Sequence, residues 1–155
     1  MNTKIISYSE IGKLKQLSGN KVLVGGCFDL LHYGHLVFLK NSKKLGDHLI
    51  IALESDEFIS KNKRMSSIHT QNQRAEILAS LMFVNYVVLL PFMKDYQDYF
   101  NMVENIHPQI VAVTKGDDQR EKKQEQIKKI GGKLSVVTAY ISNFSTKQII
   151  ARFSE

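Results

Sequence analysis

Apolar residues fall along this chain in two alternating patterns. Short, near-continuous runs rich in Val, Ile and Leu occupy residues 21–25, 48–53, 85–90, 109–114 and 133–138. Runs of that length and content predict strands covered on both faces, as in a parallel sheet. Between them, apolar positions recur at helical spacing. Leu36, Leu39 and Leu45 form one such stretch, stopped by Gly46. Residues 71–82 carry Ile77, Leu78 and Leu81 on one face. Residues 96–106 run up to His107-Pro108, where proline disfavours further helix. Residues 118–130 are highly charged and end at Gly131-Gly132, and residues 145–153 close the chain behind an N-cap candidate, Ser145.

Strand and helix thus alternate through most of the chain. That order predicts an α/β fold, a Rossmann-like open parallel sheet of five strands with helices on both faces. Such sheets bind ligands beyond the carboxyl ends of their strands, near the point where strand order reverses. The turns after those ends are residues 25–35, 54–64, 91–95, 115–119 and 139–145. Residues 8–17 read as a short added helix, so that 1–20 form an amino-terminal extension of one domain spanning 1–155.

The 155 residues suffice for one substantial core. Hydrophobic residues at 43% and charged residues at 23% are ordinary for a globular protein and add nothing to the picture. The single cysteine, Cys27, has no partner for an internal disulfide, which suits a reducing compartment. No run is long and apolar enough for a bilayer, and the first ten residues lack the order of a signal peptide. A cytoplasmic protein without membrane contact is expected. The formal charge of +6 suits phosphorylated ligands as well as nucleic acid. No strip of alternating aromatic and basic residues is present, which argues against nucleic acid.

Candidate chemistry concentrates in Val24-Gly25-Gly26-Cys27-Phe28-Asp29-Leu30-Leu31-His32-Tyr33-Gly34-His35. Glycines after a strand let backbone approach a ligand closely, and a helix starting near residues 31–33 aims free N–H groups at the same place. His32 and His35, at i and i+3, share a helical face and can both donate to phosphoryl oxygens. Asp29 is placed to orient a histidine or to lie near a metal. A zinc site is disfavoured, because His-x-x-His supplies two ligands and no further pattern completes the set. Lys43 or Lys44, on the same helix, is either a surface lysine or a charge clamp reaching back to phosphate. Lys115-Gly116-Asp117-Asp118 suits a ribose hydroxyl or a phosphate-bound Mg²⁺, and equally a helix cap with an acidic first turn. Ser145 and Thr146, followed by Lys147, suit outer phosphate oxygens or simple capping. Lys61 and Arg64, in the basic stretch 61–64, and Arg74 are candidates for binding the second substrate.

With these residues in view, the chain resembles the cytidylyltransferase-like nucleotidyltransferase family. The resemblance rests on Gly-Cys-Phe-Asp-Leu-Leu-His-Tyr-Gly-His at 26–35, a highly specific signature. It extends through Lys43-Lys44-Leu45-Gly46-Asp47, Glu54-Ser55-Asp56-Glu57, Gln73-Arg74-Ala75-Glu76-Ile77-Leu78, Lys115-Gly116-Asp117-Asp118 and Ser145-Thr146-Lys147-Gln148-Ile149-Ile150. The opening residues 4–7, the Lys-Gly-Asp-Asp run and the closing Ser-Thr-x-x-Ile-Ile resemble the heptose-1-phosphate adenylyltransferase branch. The Cys-Phe-Asp-x-x-His-Tyr-Gly-His wording and Asp56-Glu57-Phe58 resemble cytidylyltransferases acting on glycerol-3-phosphate or phosphoethanolamine.

The resemblance implies transfer of a nucleoside monophosphate from a nucleoside triphosphate, with its Mg²⁺, to a phosphorylated small molecule. ATP and a sugar phosphate such as D-glycero-D-manno-heptose 1-phosphate are the favoured pair. It implies His32, His35 and Lys43 as catalytic residues. Gly25, Gly26, Cys27, Phe28, Asp29, Gly34, Lys115, Gly116, Asp117, Ser145 and Thr146 would bind nucleotide, Asp117 or Asp118 would lie near the nucleoside or the metal, and a homodimer is implied. Gly25 stands where the heptose enzymes carry a polar residue, and the basic loop 61–64 lacks the Lys-Gly of many of them. Two further positions depart from the family. Asn85 stands where an aspartate is usual, and Tyr140 stands near the place of an arginine in the cytidylyltransferases. They motivate a rival reading, a nucleotide-binding regulator without turnover.

Overall fold

The computed structural model describes residues 3–63, 65–138 and 145–154. Its frame is one parallel sheet. The strands are β1 (Ile5–Ser7), β2 (Lys21–Gly26), β3 (His48–Leu53), β4 (Tyr86–Leu89), β5 (Ile110–Thr114) and β6 (Lys133–Thr138), in the spatial order β1-β4-β3-β2-β5-β6. The helices are α1 (Tyr33–Lys43), α2 (Asp56–Lys63), α3 (Gln71–Ala79), α4 (Tyr96–Ile106), α5 (Arg120–Lys129) and α6 (Thr146–Arg152). A 3₁₀ helix spans Tyr8–Gln16.

The expected α/β architecture is present, with six strands rather than five. The extra strand, β1, pairs Ile5, Ile6 and Ser7 with Val87, Val88 and Leu89. Three residues are too few for a periodicity to register. The segment expected as a turn over 54–64 contains α2, which carries Asp56 and Glu57 in its first turn and Lys61 and Lys63 in its last. That order of charge complements the helix dipole, and one buried residue, Ile59, anchors the helix. The extension 1–20 is therefore a strand and a 3₁₀ helix rather than a helix alone. The 3₁₀ helix is held by Lys21, 2% exposed, whose ammonium donates to the carbonyls of Leu14 (3.3 Å) and Lys15 (3.2 Å).

Successive strand residues point to opposite faces, and the chain uses both. On one face Val22, Val24, Leu49, Ile51, Leu53 and Val87 pack with Leu39 of α1 and Ala75 and Leu78 of α3. On the other, Leu23, Ile50, Ala52, Val88, Val111 and Val113 pack with Ile11 and Leu14 of the 3₁₀ helix. Met102, Val103 and Ile106 of α4 and Ile127 of α5 complete that layer. Two covered faces are why the strands read as continuous apolar runs rather than as alternation. From β2 the chain builds outward through β3 and β4, then returns to the other side of β2 for β5 and β6. The reversal opens a crevice between the carboxyl ends of β2 and β5.

Candidate nucleotide site

A cleft of about 690 Å³ lies at that crevice. Its floor is Gly25, Gly26 and Cys27 from the end of β2, with Ala112 and Thr114 from β5. His32, His35 and Phe38 form one wall, and Ser145, Thr146, Lys147 and Ile150 another. Ile59, Lys63 and Met65 close the side toward α2, and Asp117 and Lys123 the side toward α5. Gly25 is exposed, and a Cβ there would meet nothing nearer than the Ala52 carbonyl at 3.9 Å. Packing does not demand that glycine, so the space beside it belongs to whatever fills the cleft.

The loop from β2 to α1 is bent through two non-glycine residues in the left-handed region, Phe28 (φ 46°) and Leu30 (φ 51°). Such residues cost about 1–2 kcal/mol each and persist where surrounding contacts over-determine them. Here those contacts come from three segments. The Asp29 carboxylate accepts the backbone N–H groups of Ile68 (2.8 Å) and His69 (3.1 Å). The Asp29 carbonyl accepts the Thr146 hydroxyl at 2.7 Å. Arg74, 1% exposed, donates to the carbonyl oxygens of Cys27 (2.6 Å) and His69 (3.2 Å) and to the Asp56 carboxylate (2.7 Å). Partial burial opposes ionisation of Asp56. The Arg74 guanidinium, the Gln71 N–H and the Ser67 hydroxyl outweigh it and hold the carboxyl below its usual range.

On this loop the two histidines stack, with ring centroids 3.7 Å apart and planes 22° apart. Phe28 meets His35 edge-on at 5.1 Å. The His32 backbone N–H points at His35 Nδ1 at 3.4 Å, which makes Nδ1 the acceptor and leaves the ring proton on Nε2. Burial, then the neighbouring His32 and Lys63, push the His35 pKa down to about 3. Burial also lowers that of His32. Both rings are neutral near pH 7, so each brings one N–H donor rather than a fixed charge. His32 Nδ1 is buried without a partner among the described residues. The Cys27 thiol is pushed up by burial, against the pull of Lys63, and stays protonated.

The structure gathers most of the expected site and relocates the rest. Gly25, Gly26, Cys27, Phe28, Asp29, His32, His35, Asp117, Ser145 and Thr146 line one cleft. Gly34 sits between the histidines in the first turn of α1, away from the cleft wall. Lys115 and Gly116 support the wall from behind. The Lys115 N–H donates to the Thr138 carbonyl at 2.8 Å, and Gly116 takes the φ of +87° that brings Asp117 round. Asp117 accepts the Gln119 N–H (2.8 Å) and pairs with Lys123 (2.7 Å). It is therefore committed to a turn and an ion pair, and among the described residues no cluster of three metal-ligating side chains exists. Asp29 is likewise committed to backbone amides, and the histidine ring beside its carboxylate is that of His69, at 3.8 Å, rather than His32 or His35.

The basic candidates change most. Lys43 lies eight residues beyond His35 on an 11-residue helix, roughly 12 Å along its axis. Its ammonium bonds the carbonyls of Gly46 (3.3 Å) and Asp47 at the amino-terminal edge of the sheet, far from the cleft. Lys61 pairs with Glu57 at 2.6 Å and lies over the Phe92 ring. Arg74 is the buried brace of the loop. Arg64 lies outside the described residues, as does Tyr140. Asn85 stands at the edge opposite the cleft, where its side-chain amide oxygen accepts the Leu49 N–H at 2.8 Å.

Sequence reasoning missed Lys63, Lys123 and Lys147, all of which line the cleft. Lys63 was within reach of it. Asp56, Ile59 and Lys63 fall at i, i+3 and i+7, one helical face, and Ile59 is buried on that face. Lys61 is on another side of the same helix.

Comparison with known proteins agrees with this geometry. A family model described as cytidylyltransferase-like matches residues 23–152. The bifunctional protein HldE of Campylobacter fetus is 36% identical over 121 residues, 77% of this chain and 25% of that protein. An FAD synthase of Thermococcus onnurineus is 40% identical over 115 residues, 72% of this chain and 73% of that one. The chain thus spans about a quarter of the one relative and about three quarters of the other. The crystal structure of a lipopolysaccharide core biosynthesis protein from Thermoplasma volcanium superposes with a TM-score of 0.62 at 28% identity. That match covers 83% of this chain and all of that one. The match over most of the chain, with the stacked histidines on a braced loop at the point of strand reversal, leads to one assignment. This chain belongs to the cytidylyltransferase-like family and, with it, to the nucleotidyltransferase class of enzymes.

Proposed function

We propose that the cleft transfers a nucleoside monophosphate, AMP from ATP in the favoured case, to the phosphate of a small acceptor, a sugar phosphate such as D-glycero-D-manno-heptose 1-phosphate. The observation that carries this reading is the neutral, stacked His32–His35 pair facing Lys63 across the floor of the cleft.

An acceptor phosphate oxygen attacks the α-phosphorus in line. The bond from that phosphorus to the α–β bridging oxygen breaks, pyrophosphate leaves, and a new phosphoanhydride joins acceptor to nucleotide. A phosphate monoester is already a nucleophile near pH 7, so no general base is needed. The site has to position two anions and stabilise the charge that shifts onto the bridging and equatorial oxygens. His32 and His35 supply neutral N–H donors for those oxygens. Lys63 and Lys147 supply a positive field, Lys123 being paired with Asp117, and the bare backbone at Gly25 and Gly26 allows close approach. The backbone N–H groups of Ser145 and Thr146 bind the outer phosphates, because the Ser145 hydroxyl donates to Gln148 Oε1 (3.0 Å) and the Thr146 hydroxyl to the Asp29 carbonyl (2.7 Å). Mg²⁺ enters as part of the nucleotide substrate, because Asp117 and Asp29 are already engaged within the protein.

Relatives named HldE and FAD synthase both support an adenylyl donor and leave the acceptor open. A pyrophosphate-release assay over ATP, CTP, GTP and UTP tests the reading against heptose 1-phosphate, glycerol 3-phosphate, phosphoethanolamine and FMN. Release with ATP and the sugar phosphate is expected. Release with CTP and glycerol 3-phosphate or phosphoethanolamine would replace it with a cytidylyltransferase. Release with ATP and FMN would replace the acceptor. Nucleotide binding by calorimetry without release from any pair would replace it with a regulator.

A further inference from the structure

Lys123 breaks the pattern of its surroundings. Residues 118–122 and Gln124 are all exposed, whereas Lys123 is half-buried and lines the cleft. It shares the inward face of α5 with Gln126 and Ile127, at i+3 and i+4, both buried. There its ammonium donates to Asp117 Oδ2 at 2.7 Å, and Asp117 lines the same cleft. The lysine side chain is 29% exposed and that of Asp117 15%. Asp117 Oδ1 accepts the Gln119 N–H at 2.8 Å.

A cleft that takes a triphosphate therefore contains a carboxylate. Alone, that carboxylate would repel the substrate. Lys123 offsets the charge without exhausting the acceptor. An ionised carboxylate accepts about four hydrogen bonds, and among the described residues each Asp117 oxygen has taken one donor. The ammonium beside it disfavours a cation as the next partner, and a phosphate group brings acceptors rather than donors. Hydroxyls fit, and two of them on adjacent carbons match the two oxygens of one carboxylate.

Position says whose hydroxyls these are. His32 and His35 stand on the loop after β2, and Lys63 enters from α2, which follows β3. A triphosphate held there has its nucleoside across the crevice, on the β5 side. Asp117 comes from that side. The turn after β5 closes with the Asp117 N–H on the Thr114 carbonyl at 3.3 Å and delivers the carboxylate to the cleft. The Gln119 N–H belongs to the turn itself, so Lys123 is the side chain that aims Asp117 from outside it.

We propose that Lys123 is a positioning residue for nucleotide selection: it neutralises and aims Asp117, whose carboxylate then reads the 2′- and 3′-hydroxyls of the donor's ribose. The inference rests on the function proposed above for the identity of the ligand as a nucleotide, and it adds discrimination of the sugar. A pair serving only to staple the first turn of α5 would have no reason to face the cleft, and a partly exposed ion pair adds little stability. Sites built to pair a substrate hydroxyl strongly reject analogues lacking it.

The test is calorimetric binding of ATP, 2′-deoxy-ATP and 3′-deoxy-ATP to the wild-type chain, Lys123→Met, Lys123→Arg, Asp117→Asn and the double variant of Lys123→Met with Asp117→Asn. In the wild type at least one deoxynucleotide is expected to bind more weakly than ATP by about tenfold or more. Lys123→Met should bring that ratio toward one, and Lys123→Arg should restore most of it. Asp117→Asn should also bring it toward one. Adding Lys123→Met to Asp117→Asn should change it no further, because the lysine acts through the carboxylate. Lys123→Gln carries the test if Lys123→Met does not fold. Where CTP binds and ATP does not, the same ratios are read with CTP and its two deoxy forms.

A wild-type ratio near one for both deoxynucleotides overturns the inference. Equal loss of ATP and both deoxynucleotides in Lys123→Met overturns it by making Lys123 a phosphate ligand, and no change in any affinity overturns it in favour of a staple. An unchanged ratio with weaker binding of heptose 1-phosphate, relative to inorganic phosphate, moves the hydroxyls to the acceptor and overturns it too. Binding of no nucleotide removes this inference and the proposed reaction together. If the ratios behave as expected while no acceptor yields pyrophosphate, the proposed reaction fails and the role of Lys123 stands. If pyrophosphate is released while ATP and both deoxynucleotides bind alike, the reaction stands and the role of Lys123 falls.

Discussion

His35 shows how much one hydrogen bond can decide. The His32 N–H at Nδ1 selects the tautomer, and burial keeps the ring neutral, so the side chain offers a directed donor. Removing one preorganised donor of this kind costs a hundredfold or more, about 3 kcal/mol. His35→Ala is therefore expected to lower kcat by at least that factor in a protein of unchanged fold, and unchanged turnover would remove the catalytic assignment. The depressed pKa also ties stability to pH. A histidine that folding holds neutral contributes stability that is full above its unfolded pKa, 6.5, and is lost as pH falls toward about 3. The slope is at most about 1.4 kcal/mol per pH unit for this one proton. Denaturant titrations between pH 7 and pH 5 should show a smaller acid loss in His35→Gln than in the wild type. Among the lysines, Lys63→Met should raise KM for nucleotide or acceptor, or lower kcat, by tenfold or more. Lys43→Met should alter neither beyond twofold, and the reverse result would restore Lys43 to the site.

At the scale of elements, the cleft depends on how the β2–α1 loop is braced from α3 and α6. Arg74 carries most of that load. It satisfies two carbonyls and one carboxylate from a site with 1% exposure, so its loss leaves several buried groups unpaired. Arg74→Met should lower stability by about 2–4 kcal/mol in urea unfolding. Because the same contacts hold Phe28 and Leu30 in the left-handed region, nucleotide affinity should fall with it. Retained affinity in a destabilised protein would show that the loop keeps its shape without the brace. α2 makes the complementary point. It was hidden in a polar segment because only Ile59 anchors it, yet its inward face delivers Lys63.

At the scale of the whole molecule, both faces of a single sheet are covered by helices, and the amino-terminal strand and 3₁₀ helix are stitched into it. β1 pairs with β4, and Lys21 at the foot of β2 caps the 3₁₀ helix. We expect residues 1–155 to unfold in one cooperative transition, with far-UV and near-UV signals superimposed in urea. A separate early transition would show the amino-terminal 20 residues to be an independent unit. Among the described residues no helix is long and apolar enough to cross a membrane.

The sequence by itself determined the alternation of strand and helix, the parallel sheet and the position of the histidine loop. Those properties are written in local periodicity and in a contiguous motif, so each can be read without knowing what lies across the fold. Tertiary structure alone decided what the polar side chains are for. Lys43, Lys61, Lys63 and Arg74 are all cations near a helix end or a loop, and nothing local separates them. Their roles follow from which edge of the sheet each one reaches and which buried oxygens already claim it.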